Sequence, residues 1–253
     1  MIIRKSRQEL DRMRHAGRIV AETISAVLEA VRPGATTADL DRVAEAVIRE
    51  RGATPSFLGY RGTYPATICA SIDDEVVHGI PSEARVLEEG QLLSLDFGAI
   101  WEGFHADSAV SVFVGDAAPS EDAARLLKTT DEALHAGIEA VRPGGRLSDI
   151  GHAIESVAEP AGLGIVREYG GHGIGRALHE DPFIQNFGRP GRGPDLRPGL
   201  VVAIEPMLML GDEATKVLAD DWTVVTADGS LAAHFEHTVA VTDDGPEVLT
   251  SRD

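Results

Sequence analysis

Apolar residues recur at helical spacing in two stretches of the chain, in the same order each time. After Ser6-x-x-Glu9, a capping-box pattern, Leu10, Met13, Gly17, Val20, Ile24, Val27 and Val31 fall along one helical face, and Pro33-Gly34 stops the run. Leu40, Val43 and Val47 predict a second helix. Further on, Ser120 introduces Leu126, Leu127, Leu134, Ile138 and Val141, stopped by Pro143-Gly144, and Leu147, Ile150, Ile154 and Val157 predict its partner. Strand-like runs follow the helix pairs at 91–97, 107–114, 200–205, 222–226 and 235–242, broken by Gly and Asp-Gly turns such as Asp228-Gly229. The pattern predicts an α+β plan of two similar halves.

The halves also match residue by residue. Val31-Arg-Pro-Gly34 recurs as Val141-Arg-Pro-Gly144, an offset of 110, and Ile24, Leu28, Asp39, Leu40 and Val47 fall on Leu134, Ile138, Asp149, Ile150 and Val157. Residues 87–96 align with 196–205 at an offset of 109, which sets Asp96 on Glu205. Such a repeat dictates architecture. With no Pro/Ser-rich linker between the halves, one domain over residues 1–253 is expected, with pseudo-symmetric units at roughly 6–115 and 120–242. His78-Gly-Ile aligns with His172-Gly-Ile at an offset of only 94, implying 16 extra residues in the first half and 15 in the second, between His172 and Glu205. Unpaired insertions on a paired frame predict an asymmetric pocket.

At 253 residues the chain can bury a sizeable core. It contains no run of 18 apolar residues and Met1-Ile-Ile-Arg-Lys lacks a signal-peptide core, so a cytoplasmic, membrane-free protein is expected. The single cysteine, Cys69, agrees with a reducing compartment. A net charge of −18 argues against nucleic acid as a general partner. Residues 1–18 depart from that balance: six cations against Glu9 and Asp11 leave +4 there and −22 elsewhere. A solvated helix face is the simpler reading, and a docking patch for an anionic partner the sharper one. No apolar patch demands a second copy, so a monomer is expected.

Asp96, Asp107, His172, Glu205 and Glu236 carry the candidate chemistry, with His179 beside them. Asp96, Glu205 and Glu236 lie in otherwise apolar runs, where a charge is costly unless something positive neutralises it. Strand alternation turns Asp96 away from Leu95 and Phe97, and places Asp107 with Ala109 and Ser111 and Glu236 with His234 and Thr238. Four carboxylates balance two divalent ions, and hard oxygen donors with one imidazole favour Mn, Fe or Co. His105, His234 and His237 flank the acids and are read as supporting groups. Gly170-Gly-His-Gly-Ile-Gly175 lacks the Lys-Ser/Thr ending of a phosphate loop and is read as a turn that exposes His172. Cys69 has no cysteine-protease signature around it.

Together with His78 in Glu75-Val-Val-His-Gly-Ile-Pro81, these residues resemble the signature of type I methionine aminopeptidases over almost the whole chain. The resemblance implies the pita-bread fold and removal of an initiator methionine that precedes a small residue. It implies Asp96 as the bidentate ligand of one ion, Asp107 and Glu236 as the bridging pair, and His172 and Glu205 as ligands of the other ion. It further implies Glu205 as the proton carrier, His179 against the oxyanion and His78 on the scissile amide. Tyr60, Tyr64, Cys69, Leu178 and Trp222 match pocket positions, with Phe57 near them. Leu178 replaces a more usual Phe, Phe57 stands where some members have Cys, and Thr63 looks like an extra residue between the tyrosines. Peptides and nascent chains would be the partners, with residues 4–18 aiding approach to the ribosome. The alternatives are a proline-directed peptidase of the same fold, which usually carries a large N-terminal domain where this catalytic pattern is expected to begin almost at Met1, and a metal-free binding protein, which typically lacks these ligands.

Overall fold

In a computed structural model, which describes residues 2–252, the predicted helices form as two hairpins. Helix α1 spans Arg7–Ala30 and α2 Thr37–Glu50; α3 spans Glu121–Glu139 and α4 Leu147–Ala158. The predicted capping box starts α1: Glu9 N–H donates to Ser6 Oγ, and Ser6 N–H donates to the Glu9 carboxylate. In α2 the fully buried row is Leu40, Ala44 and Ile48, with Val43 and Val47 only half-buried beside it. In α4 the same row reads Ile150, Ile154 and Ala158. Large and small residues have exchanged places between the repeats while the stripe kept its position.

The backbone repeats the pattern in detail. Gly34 N–H donates to Leu87 O at 2.8 Å and Leu87 N–H to Ala35 O at 2.8 Å; Gly144 and Leu196, and Leu196 and Gly145, do the same at 2.9 Å each. Thr36 bridges Val86 as Arg146 bridges Asp195. Gly34 and Gly144 both hold φ above +80°, a region closed to most side chains, which is why Pro-Gly recurs where each helix hairpin turns.

Strands Leu92–Trp101 and Phe104–Phe113 form a long antiparallel pair, joined by Ile68–Ile72 and Thr54–Pro55 on the other edge of the first. The second half builds a five-stranded sheet in which Val201–Ile204 lies between His237–Thr242 and Gly171–Gly173. Ile24, Leu95, Leu134 and Ile204 belong to one buried apolar cluster drawn from both halves. Several short strands, such as Glu75–Val77 and Gly171–Gly173, have no periodic signal and are visible only from their pairing.

The pairing corrects the expected alignment of the histidines. His172 lies opposite Ala203, whose repeat counterpart is Ser94, and Ser94 lies opposite Ser71. His172 therefore corresponds to Ser71, and the same seven-residue step leads to His179 in one half and His78 in the other. His78 and His179 are the symmetric pair; the Gly-Ile that follows both His78 and His172 is a coincidence of sequence.

Candidate metal centre

Asp96 stands opposite Ala109, and Asp107 opposite Gly98, so both acids point from one face of the strand pair, with the Phe97–Ser108 pair between them. In the second half His172 lies opposite Ala203, and His237 opposite Ile204, which sets Glu205 and Glu236 at the next rung on the same face as His172. The two faces are joined edge to edge. Ala109 and Glu236 exchange backbone hydrogen bonds at 3.3 and 3.1 Å, and Ser108 Oγ donates to Glu236 O at 2.6 Å. Ser111 Oγ donates to His234 O and accepts from His234 N–H.

This seam gathers the five predicted ligands. His172 Nε2 lies 3.5 Å from Glu205 Oε1 and 3.8 Å from Asp107 Oδ2. Donor atoms of Asp107, His172 and Glu236 all fall within 4.8 Å of one another. The imidazole Nδ1 sits 2.9 Å from Gly173 O, which fixes the proton on Nδ1 and leaves the Nε2 lone pair facing the acids.

The carboxylates are stressed by their surroundings. Burial pushes Asp96 up to about 7; burial and the charges of Glu236 and Asp96 push Asp107 well up, as burial and neighbouring acids do Glu205 and Glu236. Asp96 Oδ1, Asp107 Oδ1, Glu236 Oε1 and His234 Nε2 are buried with no hydrogen-bond partner. Buried polar atoms are rarely left so. Crowded carboxylates facing an imidazole lone pair, with three of their oxygens left without a hydrogen-bond partner, fit divalent cations.

A cavity of about 450 Å³ opens on this cluster. Phe57, Tyr60, Tyr64, Cys69, Leu178 and Trp222 all line it, as do His78 and His179. The Tyr64 ring meets Trp222 edge-on at 5.0 Å, and its hydroxyl donates to Ile68 O and Gly79 O. A Cβ on Gly98 would come within 2.8 Å of the Phe57 ring, so the absence of a side chain there lets Phe57 lie over the strand pair. Burial raises the Cys69 thiol well above its ordinary value, with the Asp96 charge adding to it, which keeps it a neutral wall group. His78 holds φ +63°, stabilised by Gly79 N–H on Ser71 Oγ and Ala70 N–H on Gly79 O. His179 Nδ1 lies 2.7 Å from the Tyr60 hydroxyl, and its ring centroid 4.2 Å from that of His172.

Of the three flanking histidines, only His234 reaches the cavity, with Nε2 3.8 Å from Glu205 Oε2. His105 is held by Ser56 and His237 by Thr250, both outside it. The sequence signal for His234 was its place two residues from Glu236 on the same strand face. Arg61, Tyr169, Phe183 and Met207 also line the cavity and carried no such signal.

Elsewhere, acids from other parts of the chain neutralise half of the basic N-terminal segment. Lys5 pairs with Glu180, Arg12 with Glu102 and Arg14 with Glu247. Among the described residues no helix is long and apolar enough to cross a membrane.

The sequence profile of metallopeptidase family M24 matches residues 11–243. Methionine aminopeptidase 1 of Mycobacterium tuberculosis is 56% identical, with 99% of this chain and 95% of that protein covered. The crystal structure of methionine aminopeptidase from Thermotoga maritima matches with a TM-score of 0.96 at 41% identity, over 99% of this chain and 100% of that one. The prolidase from Pyrococcus horikoshii, 22% identical, shares the fold with a TM-score of 0.79, over all of this chain but 65% of its own. The chain therefore belongs to metallopeptidase family M24 and, within it, to the methionine aminopeptidases.

Proposed function

We propose that this chain hydrolyses the bond after an N-terminal methionine when the next residue is small, with two divalent ions held by Asp96, Asp107, His172, Glu205 and Glu236. One observation carries the reading: the buried acid–imidazole cluster forms one wall of a cavity whose other walls are Phe57, Tyr64, Cys69, Leu178 and Trp222. An unbranched thioether side chain suits such an apolar, aromatic recess. The shared core of the two halves supports a single catalytic domain.

Asp107 and Glu236, which meet across the seam, suit the bridging positions; Asp96 suits one ion, and His172 with Glu205 the other. Bound there, Mn, Fe or Co would polarise the scissile carbonyl and acidify water. Glu205, at the edge of the cluster beside His234, takes the proton of the attacking water and passes it to the departing amine. His179 is neutral near pH 7, since burial and the Arg61 charge pull it down to about 4. With Tyr60 donating to Nδ1, its Nε2 carries the proton and can donate to the oxyanion. His78, pulled down to about 4 chiefly by burial, is a neutral group for the scissile amide.

Residues 4–18 keep Arg4, Arg7 and Arg18 as candidates for approach to the ribosome. Charge reversal at Arg7 and Arg18, which take no part in anchoring the arm, should weaken co-sedimentation with ribosomes and leave peptide cleavage unchanged; unchanged co-sedimentation would remove the idea.

The main test strips the protein of metal, restores Mn, Fe or Co separately, and compares release of methionine from Met-Ala peptides with cleavage of Xaa-Pro peptides. Metal-dependent methionine release with little Xaa-Pro cleavage is expected. Xaa-Pro preference would transfer the reading to a proline-directed peptidase, and no cleavage with any metal would favour a binding role.

A further inference from the structure

The N-terminal arm reaches the site through a buried ion pair. Lys5 Nζ lies 2.7 Å from Glu180 Oε2, with the two side chains 3% and 9% exposed. Glu180 immediately follows His179, and its other oxygen, Oε1, accepts the backbone N–H groups of Arg176 at 2.8 Å and Ala177 at 3.2 Å. One carboxylate thus gathers the turn 175–179 around itself. Lys5 is anchored independently: its N–H donates to Gly199 O at 2.6 Å, and the neighbouring Arg4 Nε donates to Pro198 O at 2.8 Å. The lysine stem passes over Gly175, where a Cβ would lie 2.4 Å from Lys5 Cε and 2.7 Å from Glu180 Oε1. The turn is fixed at its base as well, by His105 N–H on Gly175 O at 2.8 Å.

A buried carboxylate without its cation is expensive, and the turn that it organises would have to move to rehydrate it. His179 is the next residue, already held at its ring by Tyr60. We infer that the Lys5–Glu180 pair is a positioning device for His179, tying the N-terminal arm to the group that meets the reacting carbonyl. This rests on the peptidase reading above. Lys5 is not among the residues that line the cavity, whereas Glu180 lines it beside His179, so the lysine acts on the site through Glu180 and the turn.

The test uses the full-length, Mn-loaded chain, a Met-Ala peptide, and four variants: K5M, K5M/E180Q, H179A and H179A/K5M. K5M should lower kcat by about tenfold to a hundredfold with KM and bound metal little changed, the size expected when a reacting group shifts by about 1 Å. K5M/E180Q should recover most of that loss, because the side-chain amide that replaces the carboxylate keeps an oxygen for Arg176 and Ala177 while the unpaired charge is gone. In the H179A background K5M should cost less than about twofold, the non-additivity of groups that act through one another. Wild-type kcat in K5M, no recovery in the double variant, or the same loss with and without His179 would each overturn the positioning role while wild-type cleavage stands. No methionine release by the wild type would instead overturn the peptidase reading and this inference with it.

Discussion

Thr238 clamps Asp107 by its backbone: the threonine Oγ1 accepts Asp107 N–H at 2.9 Å and donates to Asp107 O at 2.8 Å. The two residues are 131 positions apart and belong to different halves. A single hydroxyl therefore holds the first half's central acid in register with Glu236, two residues from the clamp. Thr238→Val keeps the shape and leaves a buried N–H and C=O without partners, a cost of about 1–3 kcal/mol. The thermal midpoint should fall by about 2–4 °C for each kcal/mol lost, and calorimetric Mn affinity should fall with it. Ser94→Ala is the control, since its hydroxyl bonds only Ser111 within the first half. Equal loss of metal affinity in both variants would mean that the seam does not set the ligands.

Asp107→Asn should have opposite effects on the two forms of the protein. Without metal, it relieves the repulsion among Asp107, Glu236 and Asp96, so the midpoint should rise. With Mn, the gain in midpoint should shrink and peptide cleavage should fall by at least about a hundredfold, as expected when a group that organises the transition state is lost. A variant that keeps wild-type metal stoichiometry and turnover would sink the dinuclear arrangement.

Much of this was legible in the sequence because two kinds of signal are strong. Helical periodicity and Pro-Gly stops gave α1 to α4, and the repeat offset linked Asp96 to Glu205. What escaped has a common cause. The strand Gly171–Gly173 is three residues long and dominated by glycine, so no alternation marks it, and the pairing that equates His172 with Ser71 is a long-range fact. Lys5 read as one more charge on a basic segment, since nothing local shows that Glu180 covers it. The pocket residues were found through family resemblance; burial patterns alone would have left Tyr64 and Trp222 in the core.

Tyr60 should matter through the proton on His179. Tyr60→Phe keeps the ring against the imidazole and removes the donor to Nδ1, freeing the tautomer. kcat should fall by about tenfold to a hundredfold, as it does when a histidine's orienting partner is removed, with bound metal unchanged. His179→Ala should lower kcat further, again without loss of metal. Equal losses of kcat and metal in His179→Ala would make His179 a ligand.

Stability should respond to pH differently with and without metal. Desolvation is the main cause that pulls His172, His234 and His237 down to about 3 and His78, His105 and His179 to about 4. Unfolding returns them to their ordinary value near 6.5, so the unfolded chain binds more protons below that pH and stability drops as pH falls from about 6.5 towards 4. The acids pull the other way: Asp96 is pushed up to about 7 when metal-free, and Asp107, Glu205 and Glu236 are raised too. Over the same window the folded metal-free chain holds protons on these acids that the unfolded chain releases, so stability drops as pH rises from about 4 to 7. The two slopes oppose each other, six histidines against four acids, so the metal-free midpoint should fall only gently as pH drops from about 6.5 to 4.5. Cations displace the acid protons and remove the second slope, while proton competition weakens their binding as pH falls. The Mn-loaded midpoint should therefore fall steeply across that window, and the stabilisation by Mn should grow with pH up to about 7. Thermal scans of both forms at matched ionic strength check this; parallel curves would mean that these acids are not the groups that hold the metal.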